Sequence, residues 1–208
     1  MNALDPIAAH IALTMGVAWA SGINLYAAIL VLGLMGAGGT IALPAALQIL
    51  THPLVIGAAG LMYAIEFFAD KIPAVDTGWD AVHTFIRIPA GALLAAGAVG
   101  TVDPVVALVA AILGGGLAAG THAAKAGTRV LINTSPEPFS NWAISVAEDV
   151  AVVAGLWAAL NHPWVFIGLA VAFILALAWI LPKVWRGVKT LGRRLAALFK
   201  AEPRHPAG

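Results

Sequence analysis

Cysteine is absent from all 208 residues, and charge is scarce, with Asp, Glu, Lys and Arg together making up 10%. The first absence excludes disulfides and thiolate metal sites, and leaves the redox compartment unspecified. The second excludes an ordinary water-soluble domain, in which about a quarter of residues are charged. No Lys or Arg precedes the first apolar run, so the N-terminus lacks the pattern of a cleavable signal peptide and the first helix is expected to persist. Enzyme signatures are missing as well: there is no H-E-x-x-H zinc motif, no Walker A loop and no G-x-S-x-G elbow. A dinucleotide fingerprint would need a strand, and no segment reads as one.

What is present is apolar. The hydrophobic fraction is 61% and the mean hydropathy +0.94, which points to an all-α, polytopic helical membrane protein with about 5–6 spans, some of them broken or half helices. Residues 1–182 form one transmembrane domain, 183–200 a basic amphipathic helix, and 201–208 a disordered tail. Charge divides along the same boundary. Residues 1–182 carry four basic side chains against nine acids, whereas 183–208 carry seven against Glu202. By the positive-inside rule the protein is multi-pass in the cell membrane with its C-terminus in the cytoplasm. Lys183, Arg186, Lys189, Arg193, Arg194 and Lys200 alternate with apolar residues on a helix that would lie against anionic lipid. A basic face beside the bilayer leaves no role for nucleic acid. The expected partners are the lipid bilayer, a small polar solute and further copies of the chain as a homo-oligomer.

Along the chain, a helix is predicted from Pro6 to Met35, interrupted by Gly16, Ala20, Ser21, Gly22 and the polar Asn24. Ile41 to Leu50 is too short to span and reads as a half-helix or re-entrant piece. His52 and His162 each precede Pro at a helix start and are expected to cap it. Pro89 is expected to interrupt or restart the third helix, leaving Ala90–Val99 as half a span. Asp103-Pro104 is a clear helix start, and after the loop TSPEPFS, Ser140 or Asn141 caps the next helix. Thr51-His52-Pro53 to Ile72-Pro73 is echoed by Asn161-His162-Pro163 to Leu181-Pro182, an internal repeat of the kind seen in transporters.

The ionisable residues inside these helices carry the functional reading, because a charge at membrane depth costs about 2.5 kcal/mol or more unless it is paired or wetted. His122, Lys125 and Arg129 lie near the end of one helix, and Glu148 and Asp149 near the start of the next. Antiparallel packing across the short loop predicts a Lys125–Glu148 ion pair, which in its plainest role only locks the hairpin. Glu66 and Asp70 lie one turn apart on an apolar span. Asp76, Asp80, His83 and Arg87 share one helical face, which could equally be a solvated interfacial stripe. Folded inward, that face would join the 122–149 hairpin in one polar cavity. Asp76, Asp80 and His83 are weak candidates for a metal site, and no cofactor is expected. Helix starts at Pro89 and Ser140, beside Arg87 and Arg129, would favour anions.

The segments SGINLYAAILVLGL (21–34), EFFADKIPAVDTGWDAVHTFIRIPAGALLA (66–95) and AKAGTRVLINTSPEPFSN (124–141) resemble a widespread family of small integral membrane proteins catalogued only as a domain of unknown function. The resemblance implies a membrane protein and supplies no activity. From the residues, the leading expectation is a small transporter or channel-like protein for a polar, anionic solute, with a carboxylate or His122 coupling proton movement. The alternatives are an enzyme acting on a lipid or polyprenyl phosphate, with Asp76, Asp80, His83 and His122 as acid–base or metal groups, and a structural membrane protein whose charges only hold helices together.

Overall fold

The computed structural model describes residues 4–100, 103–132 and 139–199. The TSPEPFS loop, apart from its last two residues, and the 201–208 tail lie outside the described residues. Among the described residues, six α-helices and one 3-10 helix follow in order: α1 (Asp5–Ala37), the 3-10 helix (Ala45–Thr51), α2 (Pro53–Ala69), α3 (Pro73–Ala98), α4 (Pro104–Ile132), α5 (Phe139–Asn161) and α6 (Pro163–Phe199). Five of the α-helices are long and apolar enough to cross a membrane, and the 3-10 helix with α2, bent by 68°, makes a sixth candidate. The protein is an all-α, polytopic membrane protein.

Helix α1 passes the length test but does not cross. Its backbone breaks at Asn24, whose φ of −145° and ψ of 97° leave the helical region. The first arm, 5–23, begins beside the start of α6, where the Trp164 indole donates to Asp5 (3.3 Å). Beyond the second arm, 25–37, residues Thr40, Ile41, Ala42 and Pro44 line one pocket with Ala9, His10 and Leu13 of the first arm. Both ends of α1 therefore lie at the α5–α6 turn, and the break lies deep in the bundle. The helix that folds back is α1 itself, and Ile41–Leu50, expected as a half-helix or re-entrant piece, is mostly a short 3-10 helix at that same end, bent by 68° against α2.

Small residues make the fold-back compatible with close packing. A Cβ on Gly22 would stand 2.5 Å from the Ala118 carbonyl oxygen, and one on Gly91 would stand 2.5 Å from Ala118 Cβ and 2.6 Å from Ser21 Oγ. Gly39, at φ 69°, lets the chain leave the second arm, and Gly100, at φ 74°, turns it from α3 toward α4.

Local signals explain the helix starts. The Asp103 carboxylate accepts from Val105 N–H (2.7 Å), and His52 Nδ1 accepts from Leu54 N–H (3.2 Å), so both cap as expected. Two boundaries differ. Helix α3 runs through Pro89 without interruption, and Gly91, Gly114 and Gly115 bring it close to α4 just beyond that point. Pro89 is thus no helix start and offers no free N–H groups to an anion. Helix α5 begins at Phe139, so Ser140 and Asn141 lie within its first turn rather than before it. Helix α6 continues through Pro182 into the basic segment as one helix. The two His-Pro helices, α2 and α6, start at the same end of the bundle and run in the same direction, so the repeat suggested by these dipeptides is not inverted.

The lipid-facing surface is apolar: Leu54, Phe85, Leu93, Leu113 and Trp179 are all largely exposed. Charge is turned inward.

Candidate functional site

Helix α2 brings Glu66 to the bundle axis, and Asp70 caps its end. Helix α3 adds Asp76, Asp80, His83 and Arg87, helix α4 adds His122, Lys125 and Arg129, and helix α5 adds Asn141, Glu148 and Asp149. All of these are buried except Glu148 and Asp149, which are half-buried. The face 76–87 is folded inward against the 122–149 hairpin, and the stripe is not a solvated surface. It fills the half of the bundle between the break in α1 and the α4–α5 loop.

Three cations hold the network together. Arg87 reaches Glu66 (2.5 Å) and Asp80 (3.0 Å). The Lys125 ammonium donates to the Ile23 carbonyl (3.1 Å) and Asp70 (3.2 Å) and lies 3.5 Å from both Glu66 and Glu148. Arg129 takes Glu148 side-on, through NH2 (2.8 Å) and Nε (3.4 Å), and reaches Asp70 (3.4 Å) and Asp76 (3.9 Å). The Lys125–Glu148 pair exists, but the nearer partner of Glu148 is Arg129 and that of Lys125 is Asp70.

The broken helix is matched to these charges. Where the first arm of α1 ends, carbonyl groups lack helical partners, and the Lys125 ammonium is placed on one of them, as the helix dipole favours. Where the second arm begins, the Asn24 side-chain oxygen accepts from Ala27 N–H (2.9 Å), which makes Asn24 an N-cap inside the bundle. Its Nδ2 donates to Asp149 (3.0 Å), so a carboxylate stands at the positive end of that arm. The Tyr63 hydroxyl faces Asp149 closely enough to interact with it electrostatically.

The two histidines have defined roles. Arg87 can only donate, so its 3.1 Å contact makes His122 Nδ1 an acceptor. His122 Nε2 then carries the proton, facing Thr84 Oγ1 (2.8 Å) and the Asp80 carbonyl (3.1 Å). His83 Nδ1 donates to the Trp79 carbonyl (2.9 Å), and its Nε2 accepts from the Tyr26 hydroxyl (3.0 Å). With Asp80 on Arg87 and Asp76 near Arg129, the weak metal candidates Asp76, Asp80 and His83 are not convergent, and no cluster of metal-ligating residues occurs among the described residues.

Asn24, Tyr26, Tyr63, Thr84, Asn141 and Ser145 belong to the network although none was a charged candidate. Asn141 accepts from Arg129 (2.5 Å) and donates to the Asp70 carbonyl (3.0 Å). Ser145 receives the Lys71 ammonium (3.4 Å), which also lies 3.2 Å over the Phe67 ring. Burial there pushes Lys71 below the usual lysine pKa, against the raising effect of Asp149 and Asp70.

A pocket of about 280 Å³ runs between α1, α4, α5 and α6 with Lys125 and Glu148 in its lining. Its other walls are mostly apolar, including Ile23, Phe173, Leu177 and Ile180. Together with Lys71, the network sets four basic side chains against six carboxylates. Three buried carboxylate oxygens, Glu66 Oε2, Asp70 Oδ1 and Asp80 Oδ2, receive no hydrogen bond from a described residue, against one such donor on the basic side chains, Arg87 Nε.

A polar core enclosed by lipid-facing helices, one of them broken at mid-depth, defines this molecule as a multi-helix integral membrane protein organised around a buried ion-pair network. The chain belongs to the family described as Domain of unknown function (DUF4126), whose model matches residues 11–183. No curated protein and no solved structure matches the chain.

Proposed function

We propose that this protein is a small membrane transporter whose inner chamber passes a proton or a small cation. One observation carries the reading: six carboxylates and only four basic side chains share one buried network around a broken helix. In a low-dielectric setting an excess of negative charge has to be neutralised by protons or bound cations. The three unmet carboxylate oxygens point the same way, since they call for donors or positive charge. An anionic solute, the expectation from Arg87 and Arg129, would meet two guanidinium groups already engaged by Glu66, Asp80, Asp70 and Glu148. Discontinuous helices ending at mid-membrane are the means by which many transporters place backbone and side-chain groups around an ion.

In this reading the basic end of α6 lies in the cytoplasm against anionic lipid headgroups. The turn at Lys71 then lies on the cytoplasmic side of the chamber, and the end of the bundle where both arms of α1 come to the surface faces outward. The pocket at Lys125 and Glu148 gives the chamber a second, lateral approach.

The test is proton and cation flux in proteoliposomes. Purified protein, reconstituted with an internal pH dye, should collapse an imposed pH gradient faster than protein-free vesicles. The paired substitutions Glu66→Gln and Asp80→Asn should slow it. Dissipation no faster than the lipid leak, for protons and for sodium and potassium alike, would remove the transport reading.

A further inference from the structure

We infer that Asp149 is the proton-binding residue of the chamber, and that its occupancy sets the position of the second arm of α1 through Asn24. The inference rests on the transport reading and names the group on which that reading turns. Five of the six chamber carboxylates lie within 4 Å of Arg87, Lys125 or Arg129, and Asp149 forms no ion pair with any described residue. Its hydrogen-bond partner is neutral, the Asn24 amide (3.0 Å), and the neutral Tyr63 hydroxyl faces it. It is half-buried at the level of the break in α1, about 15 Å along α5 from that helix's start. A carboxylate without a fixed cation loses least when it accepts a proton, because no ion pair has to be broken.

The charged and titratable groups that face Asp149 are few. Asp70 and Tyr63 come from α2 and its end, Lys71 from the turn after it, and Lys125 from α4. From α1 it meets the neutral Asn24. His122 is a poorer carrier, because a proton on Nδ1 would displace the Arg87 contact.

The consequence for α1 follows from the bond that changes. Asn24 uses both ends of one amide: Oδ1 caps the second arm at Ala27, and Nδ2 holds to the Asp149 carboxylate. A hydrogen bond to an ionised acceptor is roughly twice as strong as a neutral one. When a proton from solvent binds the Asp149 carboxylate, no other covalent bond changes, but that hold weakens. The second arm is then less firmly tied to α5. Its Tyr26 contacts His83, which stacks on Trp79 beside the Arg87 cluster, so movement there reaches the rest of the network.

The experiment uses full-length protein in lipid bilayers and two readouts. Infrared difference spectra between neutral and acidic pH should show a protonated-carboxyl C=O band that is lost in Asp149→Asn, retained at a shifted position in Asp149→Glu, and shifted in Tyr63→Phe. Because the chain has no cysteine, Ile29→Cys on the second arm can carry a single spin label. Its mobility should rise at acidic pH, and in the Asp149→Asn background it should be high at both pH values. A band that survives Asp149→Asn, or is indifferent to Tyr63→Phe, overturns the assignment, as does a label whose pH response persists without Asp149. A normal Asp149 band in vesicles that pass no ions would instead remove the transport reading and leave the proton site standing.

Discussion

The two halves of the bundle, divided at Asn24, are built on different principles. Toward the α5–α6 turn the interior is apolar and made of small or aliphatic residues: Ala8, Ala12, Val17, Leu47 and Ala98 are buried, and glycines set the helix spacing. Toward the α4–α5 loop the interior is ionic, with Arg87, Arg129, Glu66 and Asp76 completely buried. In lipid the hydrophobic effect gives little drive for one apolar helix to pack on another, so the first half holds by close van der Waals contact. The second half holds by charges that must be mutually satisfied. Close packing tolerates small errors and makes a rigid frame, whereas an ion network is sensitive to the loss of any member and can rearrange when one proton is added.

The largest effect is therefore expected in the ionic half. Arg129→Gln removes one cation from among Glu148, Asp70 and Asp76 and leaves Lys125 alone to face Glu148 and Asp70, at a cost of about 3–5 kcal/mol. Thermal unfolding in detergent micelles should show a pronounced drop. Arg129→Lys should recover only part of it, because an ammonium cannot hold Glu148 side-on while also reaching Asn141. A lysine variant as stable as wild type would mean that charge alone, without the fork geometry, sustains this half.

In the apolar half the sharpest probe is a single methyl group. Gly91→Ala drives a Cβ against Ala118 and Ser21 and should cost about 1–3 kcal/mol by overpacking. Gly116→Ala, on the same pair of helices but with nothing within 4 Å, should be neutral or stabilising by up to about 1 kcal/mol through helix propensity. Equal melting temperatures for the two would contradict the close α3–α4 contact.

Between the halves lies Asn24. Asn24→Ala removes the interior cap and one hydrogen bond to Asp149, a loss of about 1–2 kcal/mol. Asn24→Asp keeps the cap but sets a second carboxylate against Asp149, so its stability should rise as pH falls and one of the pair becomes protonated. The same melting experiment at neutral and acidic pH separates the two variants.

Much of this organisation was legible in the chain. The cost of placing a charge in a membrane singles out Glu66, Arg87, Lys125, Arg129, Glu148 and Asp149 whatever the fold, and helical periodicity puts 76–87 on one face. The partner choices were not legible, because a one-turn shift in depth exchanges Lys125 for Arg129 as the neighbour of Glu148. Nor was the fold-back of α1: Ser21, Gly22 and Asn24 mark a weak point, but a weak point can be a kink as easily as a reversal, and only packing of both arms against α2, α4 and α5 decides. Tyr63 carried no signal, since a tyrosine in an apolar helix more often sits at an interface. Pro89 did not break α3, because a proline inside a membrane helix removes only one backbone hydrogen bond and the packed bundle holds the rest of the helix in place.

The smallest expected effect lies at the rim of the apolar half and checks the depth assigned to it. Trp164 donates to Asp5 at 3.3 Å, and Trp164 is more than half exposed. A hydrogen bond at a wet interface exchanges with water, so Trp164→Phe should change stability by no more than about 0.5 kcal/mol. The same substitution deep in lipid would take a hydrogen bond from a carboxylate that water could not reach and cost several times more. Trp164→Phe and Asp5→Asn should thus both leave the melting temperature within error of wild type. A large loss from either would place the start of α1 inside the hydrocarbon, and the two arms could not then both reach the surface at that end.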